Sequence, residues 1–276
     1  MQKSSGHLQQ ALEPSDPLLG IVEMTLDGMA EGALFDQEEG GFYRYADGVD
    51  WTQPHSEKHL EINAALLSNY LHLYQVTGEE RHARVAGRLL SYMNTVLFDP
   101  ETGAFRGSQA ADEAYYALEG QARQQAPSPP VDATIYTDSA ARAASAYLSA
   151  SWLLERPSCQ KRALGCLEFL WQRMRTAEGG LYHYFDGAPH VEGLLRDHVY
   201  LLRALLDACQ VTGKEDYLNR ALELAGVIER DFKDGAGPGY FDLAEREEGM
   251  GYPRYRRCTG TVFGRGVGAY LGVRHT

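Results

Sequence analysis

The sequence contains no long run of apolar residues, and positive charge is in the minority. No stretch approaches the roughly 20 apolar residues of a membrane-spanning helix, which predicts a protein without transmembrane segments. Residues 1–17 lack the apolar core of a secretory signal, so we expect a cytoplasmic location. The formal net charge is −12 over 276 residues, which disfavours nucleic acid and anionic membranes as partners because both are negatively charged. A neutral or cationic small molecule, or another protein, suits this charge better.

Cysteine is also scarce. The chain has four, which are Cys159, Cys166, Cys209 and Cys258. They form no Cys-X-X-Cys pair, and no Cys/His spacing typical of zinc ligands occurs. We therefore expect reduced and mostly buried thiols, no metal site and no cofactor. The remaining composition, 44% hydrophobic and 23% charged, is ordinary for one globular domain.

Four similar segments recur along the chain. They read LFDQEEGGFYRY at 34–45, LFDPETGAFRGS at 97–108, RMRTAEGGLYHY at 173–184 and DFKDGAGPGYFD at 231–242. In each segment, a helical pattern ends in an acidic or glycine-rich turn followed by aromatic residues. The letters QVTG close two of the helical segments, at 75–78 and 210–213. Glycine suits the left-handed position that often ends a helix.

The hydrophobic periodicity predicts an all-α protein. The helices are expected over residues 15–33, 57–76, 80–97, 134–154, 158–175, 193–211 and 215–232. Strands have little room beyond short hairpins in GGFYRY and GGLYHYF. Residues 107–132 are less regular, with a short helix over 112–120 and a proline-rich linker after it. Repeated helical pairs of this kind are typical of a solenoid or an α/α toroid.

In a toroid, the loops before the inner helices converge on one mouth, where helix N-termini favour negative charge. Glu57, Asp138 and Asp197 lie near the starts of three successive inner helices. They are candidate catalytic residues, because two carboxylates in different environments can serve as acid and base on a sugar. Helix capping explains each of them equally well when it is taken alone.

The segment GGFYRYADGVDWTQPHSEKHLEIN, residues 40–63, is dense in ionisable and aromatic side chains. His55 follows a proline and is a candidate catalytic proton shuttle, with Glu57 two residues later to orient it. The alternative is a histidine that hydrogen-bonds a neighbouring loop. We expect Lys58 and His59 to follow the helix away from the mouth and to be solvated.

Three further residues of this segment are candidate substrate-binding residues. Arg44 either anchors a carboxylate or phosphate of a ligand, or pairs with Glu57. Tyr45 and Trp51 suit stacking on a sugar, but large aromatics of such loops also fill the core between helical hairpins. In the third repeat, His183 could help to cover the cavity or lie at the surface.

The residues 26–67, LDGMAEGALFDQEEGGFYRYADGVDWTQPHSEKHLEINAALL, carry a longer pattern. A glycine-rich turn, Tyr-Arg-Tyr, a tryptophan and Pro-His-X-Glu-Lys follow one another, and GSQAADEAYY, VDATIYTDSAA, EGLLRDHVYLLRALLDACQVTG and GPGYFD come later. Over about residues 20–243 the chain resembles the α/α-toroid portion of thioredoxin-domain-containing proteins of the spermatogenesis-associated protein 20 type. The resemblance implies an (α/α)6 toroid, related in shape to N-acylglucosamine 2-epimerases and six-hairpin glycosidases. It also implies that the thioredoxin-like domain usual in this family is missing here.

Most candidate residues match the pattern of this family, and the resemblance adds Asn63 and Asp112 as candidate substrate-binding residues. Three features depart from it. The family's acidic residue before Asn63 is Ile62, the first Asp of its Ser-Gln-Asp-Ala-Asp motif is Ala110, and the Trp-Asn that follows Asp138 is absent. Because removing one member of a coupled catalytic set can abolish most of the activity, a degenerate homologue is one possible outcome.

The last residues, TGTVFGRGVGAYLGVRHT at 259–276, are rich in glycine and lack helical spacing. Glycine costs about 1 kcal/mol per helical position relative to alanine, so this segment is poorly suited to closing a ring of helices. We therefore expect a toroid that is incomplete at the C-terminus, with an apolar seam that favours self-association. The expected division is a flexible N-terminus over 1–14, a toroid domain over 15–245 and an irregular tail over 246–276.

Three hypotheses about function follow. In the first, the toroid binds a sugar-like small molecule and performs epimerase- or glycosidase-type proton transfer, with His55 and Asp197 as acid and base, Glu57 orienting and Arg44 anchoring. In the second, the domain is a non-catalytic binding or scaffold module that acts with a thioredoxin-like partner. In the third, it is a truncated homologue without activity.

Overall fold

The computed structural model describes residues 17–47 and 51–244, together with the backbone of Arg256–Arg257. The chain divides into two compact units. The first unit comprises Met1–Val96 and Gln109–Pro130, and the second comprises Leu97–Ser108 and Val131–Thr276. Two expectations concern segments outside the described residues. They are the flexible N-terminus over 1–14 and the unclosed ring, which rests on residues 259–276.

The helices of the first unit are α1 Pro17–Glu31, α2 Leu60–Thr77, α3 Glu80–Tyr92, α4 Glu113–Tyr116 and α5 Gly120–Gln125. A π-helical turn, Met93–Leu97, continues α3. The helices of the second unit are α6 Thr137–Leu153, α7 Pro157–Arg173, α8 Leu195–Thr212 and α9 Glu215–Asp231. All seven helices predicted from the periodicity are confirmed. The helix α5 is an addition, because it occupies a stretch that the sequence predicted as linker.

The strands are short, as expected. They are β1 Tyr45–Ala46, β2 Pro54–His55, β3 Lys58–His59, β4 Ser108–Gln109, β5 Val131–Asp132, β6 Ile135–Tyr136, β7 Tyr182–Phe185, β8 Pro189–Glu192, β9 Tyr240–Phe241 and β10 Arg256–Arg257. In the first unit, β1 and β2 form an antiparallel pair. In the second unit, β7 lies between β6 and β8 in an antiparallel sheet, and β9 pairs with β10.

The four sequence repeats form four equivalent turns, each closed by one antiparallel bridge. The bridged pairs are Phe35 with Phe42, Phe98 with Phe105, Arg175 with Leu181, and Lys233 with Tyr240. In the first repeat, the backbone N–H of Asp36 donates to the carbonyl oxygen of Gly41 at 3.0 Å, and Gly40 N–H donates to Asp36 at 2.9 Å. The repeat found in the sequence therefore corresponds to a repeated way of reversing the chain after a helix.

Helical hairpins supply the packing within each unit. In the first unit, α2 packs against α3, and in the second unit α6 packs against α7 and α8 while α8 packs against α9. The helix α6 is buried around most of its circumference, because alanines such as Ala140, Ala144 and Ala150 let its neighbours approach closely. No helix within the described ranges is long and apolar enough to cross a membrane.

The thiols behave as buried apolar groups. Cys159 and Cys166 are free and buried, and Cys209 is free and half-buried. Burial raises the pKa of the Cys166 thiol to about 12, so it stays protonated at neutral pH. Cys258 lies outside the described residues.

The two QVTG segments end helices as predicted. Gly78 and Gly213 both have φ of 69°, and each donates its backbone N–H to the residue four positions earlier at 2.8 Å. A side chain on Gly78 would have open space around it. The turn glycine Gly40 also has positive φ, 80°, but a Cβ there would lie 2.8 Å from the carbonyl oxygen of Arg88. The same residue type is therefore required for different reasons at these two positions.

Alanine substitutions at these two glycines should differ in their cost. Gly78→Ala places a side chain in the left-handed conformation without a clash, and we expect a loss of about 1 kcal/mol in the free energy of unfolding. Gly40→Ala adds backbone overlap, so its loss should exceed about 2 kcal/mol. Urea unfolding followed by circular dichroism measures both, and equal losses would contradict the packing described around Gly40.

Candidate functional site

Among the described residues, two groups of charged side chains at buried positions stand out, one in each unit. In the first unit we define the lysine cluster as Lys58, Asp36, Glu39 and Arg123 with the tyrosines Tyr43, Tyr92 and Tyr116. In the second unit we define the histidine cluster as Asp138, His183, Arg196 and Asp197.

Lys58 lies on β3, directly before α2, and is completely buried. Its Nζ is 2.6 Å from Oδ2 of Asp36 and donates to the carbonyl oxygen of Gly40 at 2.9 Å. The expectation that Lys58 is solvated was therefore wrong. A turn that precedes the helix by some 20 residues supplies its partners, and helical periodicity alone does not reveal that contact.

Aromatic rings enclose the ammonium group of Lys58. Its Nζ lies 5.1 Å from the ring centroid of Tyr43, 4.6 Å from that of Tyr92 and 5.0 Å from that of Tyr116. These distances allow cation–π attraction on three sides. Burial lowers the pKa of Lys58 to about 8, although Asp36 acts against this shift.

Arg123, on α5, supplies the second cation of the lysine cluster. Its guanidinium pairs with Asp36 and, at 3.1 Å, with Glu39. The two cations thus face two carboxylates, which leaves the cluster close to neutral overall. Sequence analysis missed both Asp36 and Arg123. The signal available for Asp36 was its position in the repeated turn, where Asp99 and Asp234 occupy the equivalent places.

The exposed part of segment 40–63 forms a different set of contacts from the one expected. Glu57 Oε2 lies 2.8 Å from Nε2 of His59 and 3.1 Å from the guanidinium of Arg44. The alternative in which Arg44 pairs with Glu57 is therefore observed. Burial raises the pKa of Glu57, but His59 and Arg44 outweigh it, so the net pKa is lowered. His55 is exposed and stacks on Tyr45, with 5.1 Å between the ring centroids. The expectation that Glu57 orients His55 is therefore corrected, because Glu57 pairs with His59.

Three predicted substrate-binding residues have structural contacts instead. Asn63 is fully buried, and its amide donates to the carbonyl oxygens of Phe42 and His59 and accepts from Phe42 N–H at 2.7 Å. Asp112 is the N-cap of α4 and accepts from the N–H of Tyr115 at 2.9 Å. The ring of Trp51 packs on α1, where Gly28 leaves room for it. The observed contacts of Asn63 are all with backbone groups, and its predicted contact with a ligand stays a prediction.

The histidine cluster forms where two inner helices begin. Asp138 lies in the first turn of α6 and Asp197 in the first turn of α8. His183 comes from β7, and its Nδ1 lies 3.1 Å from each carboxylate oxygen of Asp197. Thr137 donates its hydroxyl to the carbonyl oxygen of Tyr182 at 2.6 Å, which ties the start of α6 to the strand that carries His183. The sequence predicted both carboxylates as candidates and His183 only as a possible cover.

Arg196 completes this cluster by pairing with Asp138. The side chain of Asp197 is 0% exposed and that of Asp138 2%, whereas His183 is 22% and Arg196 44% exposed. The carboxylates are therefore buried beneath the imidazole of His183 and the guanidinium of Arg196, which both reach the solvent. Sequence analysis missed Arg196, although its position next to Asp197 could have drawn attention to it.

The environment shifts the pKa values of the His183–Asp197 pair. Burial lowers the pKa of His183, but the hydrogen bond and charge of Asp197 outweigh it, so the net pKa is raised. Burial, together with the charge of Asp138, raises the pKa of Asp197 to about 6. The two raised pKa values have the same consequence, because each makes the folded state bind more protons than the unfolded state. The stability that His183 contributes is therefore present at low pH and is lost as the pH rises through its folded-state pKa.

Within the described ranges, two groups of side chains have ligand types that metals accept. They are Asp138, His183 and Asp197, and Glu23, Asp27 and His82, each with its possible ligand atoms within 4.8 Å of one another. In both groups an arginine already binds a carboxylate, since Arg196 pairs with Asp138 and Arg81 pairs with Glu23 and Asp27. A cation would have to compete with these guanidinium groups, so neither group is proposed as a metal site.

Comparison with known proteins gives partial relatives. No family model matches the chain. An uncharacterised protein of Caenorhabditis elegans is 21% identical over 83% of this chain and 45% of its own length. Spermatogenesis-associated protein 20 of Mus musculus is 36% identical over 32% of this chain and 11% of its own length. The chain thus spans less than half the length of these curated relatives, and the matches support the expected resemblance for the matched residues only.

Solved structures with a similar fold are sugar-active proteins. A sugar epimerase from a ruminal bacterium superposes with a TM-score of 0.67 at 15% identity, covering 82% of this chain and 58% of its own. A D-mannose isomerase gives a TM-score of 0.59 at 17% identity over 76% of this chain and 50% of its own. A GH76 α-mannanase of Bacteroides thetaiotaomicron gives 0.59 at 14% identity over 82% and 53%. At these identities the comparison establishes the fold alone, and it confirms an all-α fold of the α/α-toroid type.

Removing the buried ammonium group should destabilise the protein strongly. Lys58→Met leaves the Asp36 carboxylate with Arg123 as its cationic partner, and we expect a loss of about 2–4 kcal/mol in the free energy of unfolding. The matched control is Lys233→Met, because Lys233 pairs with Glu229 at 2.6 Å on the exposed surface of α9 and its turn. That change should cost less than about 1 kcal/mol. Similar losses in both variants would contradict a stabilising role for Lys58.

The raised pKa of His183 should depend on Asp197. In Asp197→Asn the hydrogen bond loses its charge, so the pKa of His183 should fall. NMR titration of the histidine ring resonances measures it, with His183→Gln to assign the signal. Ser151→Ala serves as the control and should leave the titration unchanged, because it removes a hydroxyl that donates to the carbonyl oxygen of Leu148 at 2.7 Å near the C-terminal end of α6. An unchanged pKa in Asp197→Asn would refute the pairing.

Proposed function

We propose that the histidine cluster transfers a proton between neighbouring carbon atoms of a sugar, as in aldose–ketose isomerisation. The observation that carries this proposal is the hydrogen bond between a buried carboxylate, Asp197, and an imidazole, His183, that still reaches solvent. The fold supports it, because a sugar epimerase and a D-mannose isomerase share the architecture. Fold alone does not establish chemistry, so the argument is made from the side chains.

Asp197 determines which nitrogen of His183 can act. The carboxylate accepts a hydrogen bond from Nδ1, so in the neutral imidazole the lone pair lies on Nε2. A buried carboxylate behind the ring also stabilises the imidazolium that forms when Nε2 takes a proton. His183 is therefore suited to be a general base that is oriented by Asp197.

In the proposed reaction, Nε2 of His183 removes the proton from the carbon next to the sugar carbonyl group. The C–H electron pair forms a carbon–carbon double bond, and the carbonyl π pair moves to oxygen, which gives an enediolate. Arg196 is the group in the cluster that can stabilise this negative oxygen, because its guanidinium is partly exposed. A proton then passes from the 2-hydroxyl group to O1, and the O2 electron pair forms the new carbonyl group. The electron pair of the double bond takes the proton back from the imidazolium at C1, which completes the conversion of an aldose to a ketose.

The number of bases favours isomerisation over epimerisation. A proton that leaves and returns on one face of the enediolate needs one base, whereas inversion at carbon needs an acid on the opposite face. The described cluster offers one imidazole, and its two carboxylates are buried and paired. The same burial argues against glycoside hydrolysis, which needs two carboxyl groups in contact with the glycosidic bond.

The residues of segment 40–63 have a reduced part in this proposal. His55 is exposed and is not paired with Glu57, so we do not assign it the role of the base. Arg44 and Tyr45 are exposed and remain predicted contacts for a ligand. The ion pair between Arg44 and Glu57 favours a second candidate function, a binding module without catalysis.

Deuterium exchange tests the reaction directly. The purified chain is incubated in deuterated water with D-glucose, D-mannose and D-fructose, and proton NMR follows loss of the signals at C1 and C2. We expect exchange that His183→Gln reduces by at least about 100-fold. The rate should rise with pH as His183 loses its proton, and Asp197→Asn should move this rise to lower pH.

Asp186→Asn is the matched control, because this exposed aspartate pairs with another imidazole, His190, at 2.8 Å. It should leave the exchange rate unchanged. Absence of both exchange and interconversion with all three sugars, or equal rates in wild type and His183→Gln, would reject catalysis by this cluster and favour the binding module.

A further inference from the structure

The hairpin that carries His183 contains a residue with a strained backbone. Among the described residues, three that are not glycine have positive φ, and they are Trp51, Glu155 and Val191. The φ of Val191 is 53°, although Val191 lies within the strand β8. A residue of a regular antiparallel strand has φ near about −140°. Because β-branched residues are poorly suited to the left-handed region, this conformation requires a cause.

The register of the sheet shows what lies opposite Val191. Opposite residues of a regular antiparallel pair direct their side chains to the same face, with Cβ atoms about 4.5–5.5 Å apart. By this register Val191 lies opposite His183, so a regular β8 would place the valine side chain next to the imidazole. The paired residues on either side are Tyr182 with Glu192 and Tyr184 with His190.

The face of the sheet that carries His183 is directed towards the helices. Phe185, two residues after His183, packs on Phe169 of α7 with 5.4 Å between the ring centroids. Ile135, which is opposite Phe185 on β6, is only 2% exposed. A valine in the regular position would share this apolar face, but Val191 is 38% exposed. The observed conformation therefore exposes an apolar side chain in addition to straining the backbone.

The imidazole of His183 lies on the face that the side chain of Val191 would share in a regular strand. Its Nδ1 is 3.1 Å from each carboxylate oxygen of the buried Asp197, and the side chain of His183 remains 22% exposed. A β-branched side chain within about 5 Å on the same face would crowd the imidazole. Competition between the imidazole and the valine for one position would explain the strain.

We propose that Val191 is a positioning residue for His183. By leaving the regular strand pairing, Val191 keeps the position next to the imidazole open, so that His183 reaches both Asp197 and the solvent. The left-handed conformation is then a consequence of His183 and not of the hairpin turn. The functional part of this inference rests on the proposed function, because it concerns the proposed base. Its test measures unfolding and the titration of His183, so its failure and the failure of the proposed proton transfer are distinguishable.

A double-mutant cycle tests whether His183 causes the strain. Val191→Gly removes the penalty of the left-handed conformation, so it should increase the folding equilibrium constant by about two- to tenfold in the wild-type background. In the His183→Ala background, Val191 is free to join the regular pairing, where glycine is less favourable than valine. The same change should then decrease this constant by about two- to fivefold. Urea unfolding followed by circular dichroism measures both effects. An equal gain in the two backgrounds, or a loss in the wild-type background, would overturn the proposal.

Glu155→Gly is the matched control for this cycle. Glu155 has φ of 51° and follows the C-terminal end of α6, whereas the start of α6 is tied to the strand that carries His183. These two ends are about 25 Å apart along the helix. Glu155→Gly should therefore have the same effect in wild type and in His183→Ala. A reversal of sign for this control as well would overturn the proposal, because the coupling would not be specific to Val191.

The titration of His183 tests the positioning role separately. Proline fixes φ near about −65° and is tolerated in an edge strand such as β8, so Val191→Pro should return a side chain to the position opposite the imidazole. The pKa of His183 should then fall, because its contact with Asp197 weakens. Val191→Asn tolerates the left-handed region and should retain the wild-type pKa of His183.

NMR of the histidine rings measures both variants. The ring resonances of His190, on the other face of the hairpin, should stay unchanged and so report an intact hairpin. A fall in the pKa of His183 in Val191→Pro, together with its retention in Val191→Asn, supports the positioning role. The same pKa of His183 in both variants would overturn it.

Discussion

Asp36 is the residue on which the first unit most depends, because its backbone closes a turn while its carboxylate binds two buried cations. Gly40 and Gly41 complete that turn, which returns the chain towards Lys58. Arg123 approaches the same carboxylate from α5, a distant part of the sequence. A buried ammonium group is tolerated only with such partners, since desolvation would otherwise exceed the attraction. The turn, the strand before α2 and the short helix α5 are therefore coupled through a single carboxylate.

The second unit also contains buried carboxylates, but they lie at helix starts and not in the repeated turn. Its carboxylates, Asp138 and Asp197, lie in the first turns of two inner helices, where the helix dipole favours negative charge. Helix capping was one explanation for each of them, but both carboxylates also contact side chains of other residues. Asp138 pairs with Arg196, and Asp197 pairs with His183 from a neighbouring strand. Burial of these carboxylates next to the partly exposed side chains of His183 and Arg196 is the basis of the proposed proton transfer.

The sequence predicted the regular part of the fold well, because helices of this kind repeat a pattern along the chain. Periodicity located seven helices, the QVTG letters located two left-handed helix ends, and the recurring turn located four bridged reversals. Prediction failed where a contact joins distant residues. Lys58 was expected in solvent because its turn partner Asp36 was not considered, and α5 was missed because its stabilising contacts, through Arg123, come from the first repeat.

For the candidate site, the sequence by itself determined which ionisable residues begin the inner helices, because helical phase and the positions of the caps are local properties. Asp138 and Asp197 were identified in that way. Tertiary structure alone decided their partners. Asp197 pairs with the imidazole of His183, Asp138 pairs with the guanidinium of Arg196, and Glu57 pairs with His59 rather than with His55. The physical reason is that protonation and hydrogen bonding depend on burial and on neighbours within a few ångströms, which chain folding brings together from remote positions.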